Sequence, residues 1–124
     1  MFLSSACNSQ SAKAVDGESS FYKNVDVKAF NSEIGKEGTV LIDVRTPKEF
    51  ASGHIKGAKN MNLFDPSFAS QIGKLDKSKT YLLYCRSGNR SGKAMGTMKS
   101  IGISKIYNLA GGMGAWGRAG MPVE

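Results

Sequence analysis

Short apolar runs alternate along the chain with segments in which apolar residues recur at helical spacing. The runs predict five strands, at residues 21–24, 40–42, 58–61, 81–84 and 106–109. The intervening segments predict helices at residues 27–35, 47–50, 68–75, 91–100 and 112–119. Asp26 suits the cap of the first helix and Pro47 suits the first turn of the second. Strands that alternate with helices predict an α/β fold with a mainly parallel sheet, in which ligands bind beyond the carboxyl ends of the strands.

Length and composition bound the class of protein. The chain has 124 residues, of which 40% are hydrophobic and 22% are charged, and this suits one folded domain rather than two domains or a broadly disordered chain. No run of 18 apolar residues is present, which argues against a membrane-spanning helix. Two cysteines are too few for a disulfide scaffold or a cysteine-rich zinc site.

The first twenty residues differ from the rest. Residues 1–20 are rich in Ser, Ala and Gly without periodicity and predict a flexible tail, while residues 21–124 predict the folded domain. The tail begins with small residues before Cys7, which resembles the cleavage box of a bacterial lipoprotein, although most of the apolar stretch and the basic segment of a signal are missing. Two interpretations stay open: a truncated signal, with lipidated Cys7 as a membrane tether in the cell envelope or periplasm, or a cytoplasmic protein.

Charge is distributed unevenly. Residues 1–38 hold four lysines and five acidic residues, and the rest of the chain holds 13 basic and 5 acidic residues. A basic folded domain raises the local concentration of anions. This suits a small anionic substrate as well as nucleic acid, but the aromatic residues do not interleave with Lys and Arg as base-stacking residues would, so no nucleic-acid partner is expected. Most of the lysines are expected simply to form a solvated face.

One reactive residue stands out. Cys85 directly follows the fourth predicted strand, and a short polar loop leads from it into a helix. Backbone N–H groups of such a loop, the helix dipole and two arginines all favour a thiolate, so we expect a lowered pKa and a nucleophile. An inert buried cysteine is the alternative, but two arginines are costly in a buried structural loop. The expected anion-binding residues are Arg86, Ser87, Gly88, Asn89, Arg90 and Ser91.

Other conspicuous residues are expected to be structural. Asp43 and Arg45 stand two positions apart at a strand end, where they could shape the pocket, but an ion pair that holds the next turn is favoured. Trp116 is expected in the core, and Gly111 with Gly112 is expected to form a tight turn into the last helix, because the Lys and Ser/Thr of a phosphate loop are missing.

Three motifs resemble those of rhodanese-like sulfurtransferases. They are LIDVRTPKEF with GHIKGA at residues 41–50 and 53–58, CRSGNRS at 85–91, and LAGGMGAW with GMPV at 109–116 and 120–123. The resemblance spans residues 21–124. It implies a five-stranded parallel sheet with helices on both faces, and a Cys85 that carries sulfane sulfur as a persulfide. It also places His54 in a turn motif, which predicts a hydrogen-bonded structural role.

Loop length separates this family from its relatives. Phosphatases and arsenate reductases of similar architecture place five residues between Cys and Arg, whereas four lie between Cys85 and Arg90 here. The shorter loop makes a smaller cradle and favours sulfur transfer from a small anionic donor such as thiosulfate to a thiol, a protein acceptor or cyanide. No metal or organic cofactor is expected. A non-catalytic or sulfur-relay binding module stays open as an alternative, a phosphatase or arsenate reductase is disfavoured, and the oligomeric state is not predicted.

Overall fold

The computed structural model of the chain describes residues 20–124, so the predicted tail, including Cys7, lies outside the described residues. The described part contains five strands, which are β1 (Phe21–Val25), β2 (Thr39–Asp43), β3 (Lys59–Asn60), β4 (Thr80–Tyr84) and β5 (Lys105–Leu109). It contains five helices, which are α1 (Val27–Glu33), α2 (Pro47–Ser52), α3 (Phe68–Gly73), α4 (Asn89–Ser100) and α5 (Gly112–Arg118). None of these helices is long and apolar enough to cross a membrane.

The five strands form a single parallel sheet in the order β1-β5-β4-β2-β3. The predicted α/β class and parallel sheet are therefore confirmed. Strand β4 lies at the centre, and its last residue, Tyr84, pairs with Asp43 at the end of β2. Because the strands are parallel, the residues that follow β2, β4 and β5 meet at the same edge of the sheet.

Helices cover both faces of the sheet, as predicted. Along β4 the side chains alternate between two cores, because successive residues of a strand point to opposite faces. Leu83 and Cys85 pack on the face covered by α3 and α4. Leu82 and Tyr84 pack on the opposite face with the buried residues of α1 and α5. The nucleophile candidate thus sits on the α4 side of the central strand.

The ends of several elements differ from the sequence prediction. Helix α4 begins at Asn89, two residues earlier than predicted, because Gly88 adopts a positive φ of 100° and its carbonyl accepts the first helical bond from Gly92 N. Helix α2 continues to Ser52 behind a capping box at Thr46. Helix α3 ends at Gly73 and β3 is only two residues long. Because α4 starts early, the last residues of the predicted loop after Cys85 are helical, which fixes their backbone.

Candidate active site

Cys85 lies directly after β4, and its side chain is buried beneath the loop that leads into α4. Its Sγ accepts a hydrogen bond from Gly88 N at 3.0 Å and another from the Ser91 hydroxyl at 3.4 Å. Ser91 is itself buried. Two donors of the predicted loop therefore converge on the sulfur, and both bind a thiolate better than a thiol.

The pKa of Cys85 reflects two opposing influences. Burial raises the pKa of the thiol and is the largest single contribution. Hydrogen bonds from the Ser91 hydroxyl and from the backbone amides of Ser91, Gly88 and Ser87 act in the opposite direction and outweigh it, so the pKa lies below its ordinary value. The structure thus supports the thiolate expected from the sequence.

The N-terminus of α5 holds the first peptides of the loop. Met113 N donates to the carbonyl oxygen of Cys85 at 2.9 Å, and Gly114 N donates to that of Arg86 at 3.0 Å. Gly111 and Gly112 both adopt positive φ at the start of α5, which confirms the predicted tight turn. A Cβ atom on Gly112 would lie 2.7 Å from the Arg86 carbonyl group, so only glycine permits this approach. Sequence reasoning placed this glycine in a turn and missed its contact with the loop.

A second support comes from Asn108 at the end of β5. Its side-chain amide donates to the Asn24 side chain at 2.8 Å and to the Gly88 carbonyl at 3.3 Å. Asn108 is buried, and its side-chain oxygen accepts no hydrogen bond from the described residues. Nothing in the sequence marked Asn108, because its role depends on β5 lying beside β4.

The two arginines of the loop differ in their contacts. Arg90 forms a bidentate ion pair with Glu49, with N–O distances of 2.7 and 2.9 Å, while Arg86 is exposed and forms no ion pair with any of residues 20–124. Glu49 also accepts hydrogen bonds from the backbone and hydroxyl of Thr46 at 3.1 Å. These contacts lower the pKa of Glu49 to about 2, with the Arg90 bond as the largest cause. Sequence reasoning missed Glu49, although the spacing of Thr46 and Glu49 is that of a capping box.

The predicted Asp43–Arg45 pair is present and buried below the site. Arg45 Nη2 lies 2.7 Å from Asp43 Oδ2 and also donates to the Gly53 carbonyl at 2.6 Å. The hydroxyl of Tyr84 accepts from Ile55 N at 3.1 Å, and burial raises the pKa of Tyr84 well above its ordinary value. This network ties the end of β2 to the segment after α2, and the predicted Asp43–Arg45 ion pair is confirmed.

His54 and Trp116 also have the structural roles expected for them. His54 Nδ1 lies 3.0 Å from the Phe50 carbonyl oxygen, and the His54 ring stacks on the Phe50 ring at 3.8 Å. Trp116 is buried and donates from Nε1 to the Pro122 carbonyl at 2.9 Å. Neither side chain forms a hydrogen bond with Cys85 Sγ, so neither is assigned a chemical role.

A cavity of about 340 Å³ adjoins the loop, and its lining combines charged, polar and apolar groups from the end of β2, from α2, from α5 and from the loop. Its lining residues are Arg45, Glu49, Ser52, Arg86, Met113 and Gly114. A larger cavity, of about 510 Å³, lies between α1 and α5, and no loop residue lines it. Among residues 20–124, no group of three His, Cys, Asp or Glu side chains could hold a metal ion.

Comparison with known proteins agrees with this geometry. The rhodanese-like domain family matches residues 26–119, which is most of the chain. A thiosulfate sulfurtransferase GlpE from Pseudomonas putida is 38% identical over 89 residues, covering 72% of this chain and 78% of that protein. An uncharacterized protein, YqhL of Bacillus subtilis, is 43% identical over 77 residues, covering 62% of this chain. The chain spans 60% of the length of YqhL and 48% of that of a second uncharacterized relative.

The fold likeness is equally clear. The solution structure of a rhodanese-like domain from an Anabaena protein superimposes with a TM-score of 0.72 at 27% identity, covering 84% of this chain and 80% of that domain. The parallel sheet, the position of the cysteine after its central strand and the match over residues 26–119 all agree with the motifs found in the sequence. The chain therefore belongs to the rhodanese-like domain family, whose named relatives include sulfurtransferases.

Proposed function

We propose that this protein is a sulfurtransferase that carries sulfane sulfur as a persulfide on Cys85. The observation that carries the proposal is the convergence of Gly88 N and the Ser91 hydroxyl on Sγ, at 3.0 and 3.4 Å. Donors fixed around a sulfur stabilise a negative charge without reorganisation during the reaction. The loop from Arg86 to Ser91 is proposed as the anion-binding site.

The reaction divides into two sulfur transfers that need no net oxidant or reductant. The Cys85 thiolate attacks the outer sulfur of thiosulfate, the sulfur–sulfur bond of the donor breaks, and sulfite leaves with the electron pair. An acceptor thiolate then attacks the outer sulfur of the Cys85 persulfide, and the Cys85 thiolate leaves. The donors on Sγ stabilise the cysteine sulfur both as nucleophile and as leaving group.

Two contacts favour sulfur transfer over phosphoryl transfer. Gly88 N lies within hydrogen-bond distance of Sγ itself, so the loop closes on the cysteine sulfur rather than around a tetrahedral group beyond it. The guanidinium of Arg90 is occupied on its bidentate edge by Glu49, whereas phosphoryl transfer would need that edge for the transferred group. The relative named a thiosulfate sulfurtransferase supports thiosulfate as the donor to test first.

The test is to mix the purified protein with thiosulfate and measure its intact mass. We expect a gain of one sulfur atom, located on Cys85 by peptide mapping, and its loss when a thiol such as dithiothreitol is added. Cys85→Ser should gain no sulfur, and Cys7→Ser, the matched control, should behave like the unmodified protein. A gain of sulfur by Cys85→Ser equal to that of the unmodified protein would overturn the proposal. Sulfur that loads on Cys85 but does not leave for a small thiol would favour the sulfur-relay alternative with a protein acceptor.

A further inference from the structure

Arginines outnumber carboxylates around the catalytic loop. Arg45, Arg86 and Glu49 line the cavity beside the loop, Arg90 pairs with Glu49 at its rim, and Asp43 binds Arg45 below it. The Asp43–Arg45 pair is buried, and Arg45 Nη2 lies 2.7 Å from Asp43 Oδ2, so the carboxylate compensates the charge of Arg45. Of the two arginines that line this cavity, Arg86 is therefore the one without a carboxylate partner among residues 20–124.

Arg90 is fixed on two sides. Glu49 holds both terminal nitrogens of its guanidinium, and the ring of Phe64, which is 64% exposed, lies 5.7 Å from the guanidinium carbon. Glu49 is itself anchored by the Thr46 capping box at the start of α2. An arginine held in this way is not free to turn toward an incoming anion without breaking two charge-assisted hydrogen bonds.

We propose that Glu49 is a positioning residue that compensates and immobilises Arg90, and that Arg86 is the uncompensated cation that receives the anionic end of the sulfur donor. This inference rests on the proposed function for the identity of the donor. The arrangement of charges does not depend on the donor, because it rests on the ion pairs observed among residues 20–124. It narrows the proposed anion-binding loop, because of its two arginines Arg86 receives the donor and Arg90, which Glu49 occupies, does not.

The test compares alkylation of Cys85 by anionic iodoacetate and by neutral iodoacetamide. Both reagents attack the same thiolate, so the ratio of their rates cancels thiol reactivity and reports the electrostatic potential at the mouth of the site. Two unit charges about 4 Å apart in water interact by about 1 kcal/mol, which corresponds to a change of roughly fivefold in the ratio. The assay needs no sulfur transfer, so it is independent of the proposed function.

Four variants test the assignment, and the changes expected in the ratio of the two alkylation rates differ in sign. Arg86→Ala should lower the iodoacetate preference several-fold and raise the KM for thiosulfate, with a smaller change in kcat. Glu49→Gln should raise the preference, because Arg90 becomes uncompensated. The double variant Glu49→Gln/Arg90→Gln should return the ratio close to its original value, because a neutral pair has been replaced by a neutral pair. Glu37→Gln, which removes an exposed carboxylate before β2, should have no effect.

The outcome that would overturn the inference is equally definite. If the double variant lost the iodoacetate preference as strongly as Arg86→Ala, Arg90 would be an anion receptor. Lys79→Ala serves as the matched cation control, because Lys79 is exposed, lacks an ion pair with residues 20–124 and precedes β4, at the end of that strand opposite Cys85. An equal loss there would indicate a diffuse field rather than Arg86. If the ratios follow expectation but thiosulfate adds no sulfur, the charge assignment stands and the proposed function fails.

Circular dichroism of each variant identifies any that does not fold. If Glu49→Gln does not fold, Glu49→Asp replaces it, and a higher iodoacetate ratio is still expected because the shorter carboxylate withdraws from Arg90. An unchanged ratio would count against the assignment.

Discussion

Ser91 provides the most direct test of how the fold activates Cys85. Its hydroxyl is the strongest of the four hydrogen-bond contributions that lower the pKa of the thiol, against the opposing effect of burial. Ser91→Ala removes this donor and leaves the three backbone amides in place. Because Ser91 is buried and alanine is the smaller residue, the loop should keep its conformation.

The size of the effect follows from the geometry. A hydrogen bond to a charged group contributes about 1.5–3 kcal/mol, and the 3.4 Å separation of Ser91 Oγ and Sγ places this one at or just below the lower end. A loss of about 1.4 kcal/mol raises the pKa of Cys85 and shifts its ionisation equilibrium about tenfold toward the thiol. At pH values below both pKa values, the thiolate fraction should then fall about tenfold.

The assay is the rate of alkylation by iodoacetamide as a function of pH, followed by intact mass. The curve for Ser91→Ala should be displaced to higher pH and should meet the original curve at alkaline pH, where both thiols are ionised. Ser100→Ala is the matched control, because Ser100 lies at the far end of α4 and its hydroxyl donates only to Thr97 O. Superimposable curves for Ser91→Ala and the unmodified protein would refute the reasoning and leave the backbone amides as the sole activating groups.

Three further predictions concern stability. Glu49→Gln should lower the free energy of unfolding by about 1 kcal/mol above pH 4.5, and the difference should vanish in acid titration as the pH falls to about 2, because the folded-state pKa of Glu49 is lowered. Gly112→Ala should cost at least ~2 kcal/mol in urea unfolding, whereas Gly117→Ala, which meets nothing within 4 Å in the same helix, should be neutral or slightly stabilising. Asp43→Ala should cost about 3 kcal/mol in the same assay, because it leaves Arg45 buried without a partner; a cost below that of an exposed-site change such as Glu37→Ala would contradict this.

The class of fold and the position of the nucleophile could be predicted because both depend on local patterns. Strands buried on both faces form continuous apolar runs, as in β4, and a cysteine directly after such a run must lie at the carboxyl edge of the sheet. The order of the strands could not be predicted in the same way, because an apolar run does not identify its neighbours. That order brings β5, and with it Asn108, beside the loop.

The contacts that sequence reasoning missed join distant segments. Glu49 and Arg90 are 41 positions apart, and either residue by itself has the character of an ordinary surface charge. The capping box could identify Glu49 as the end of a helix cap but not as the partner of a loop arginine. The start of α4 at Asn89 was missed because Gly88 adopts a positive φ, which composition permits but does not require.

The helix α5 explains why the C-terminal motif belongs to the same site as the cysteine. A trans peptide is planar, with its carbonyl and N–H groups pointing in opposite directions. Gly114 N binds the carbonyl of Arg86, so the N–H of the same peptide, which is that of Ser87, is directed away from α5 and contributes to lowering the pKa of Cys85. The amides at the start of α5 thus orient a donor that they do not touch. This geometry requires α5 to approach the loop backbone as closely as Gly112 allows, so an alanine there should disturb the cysteine as well as the turn.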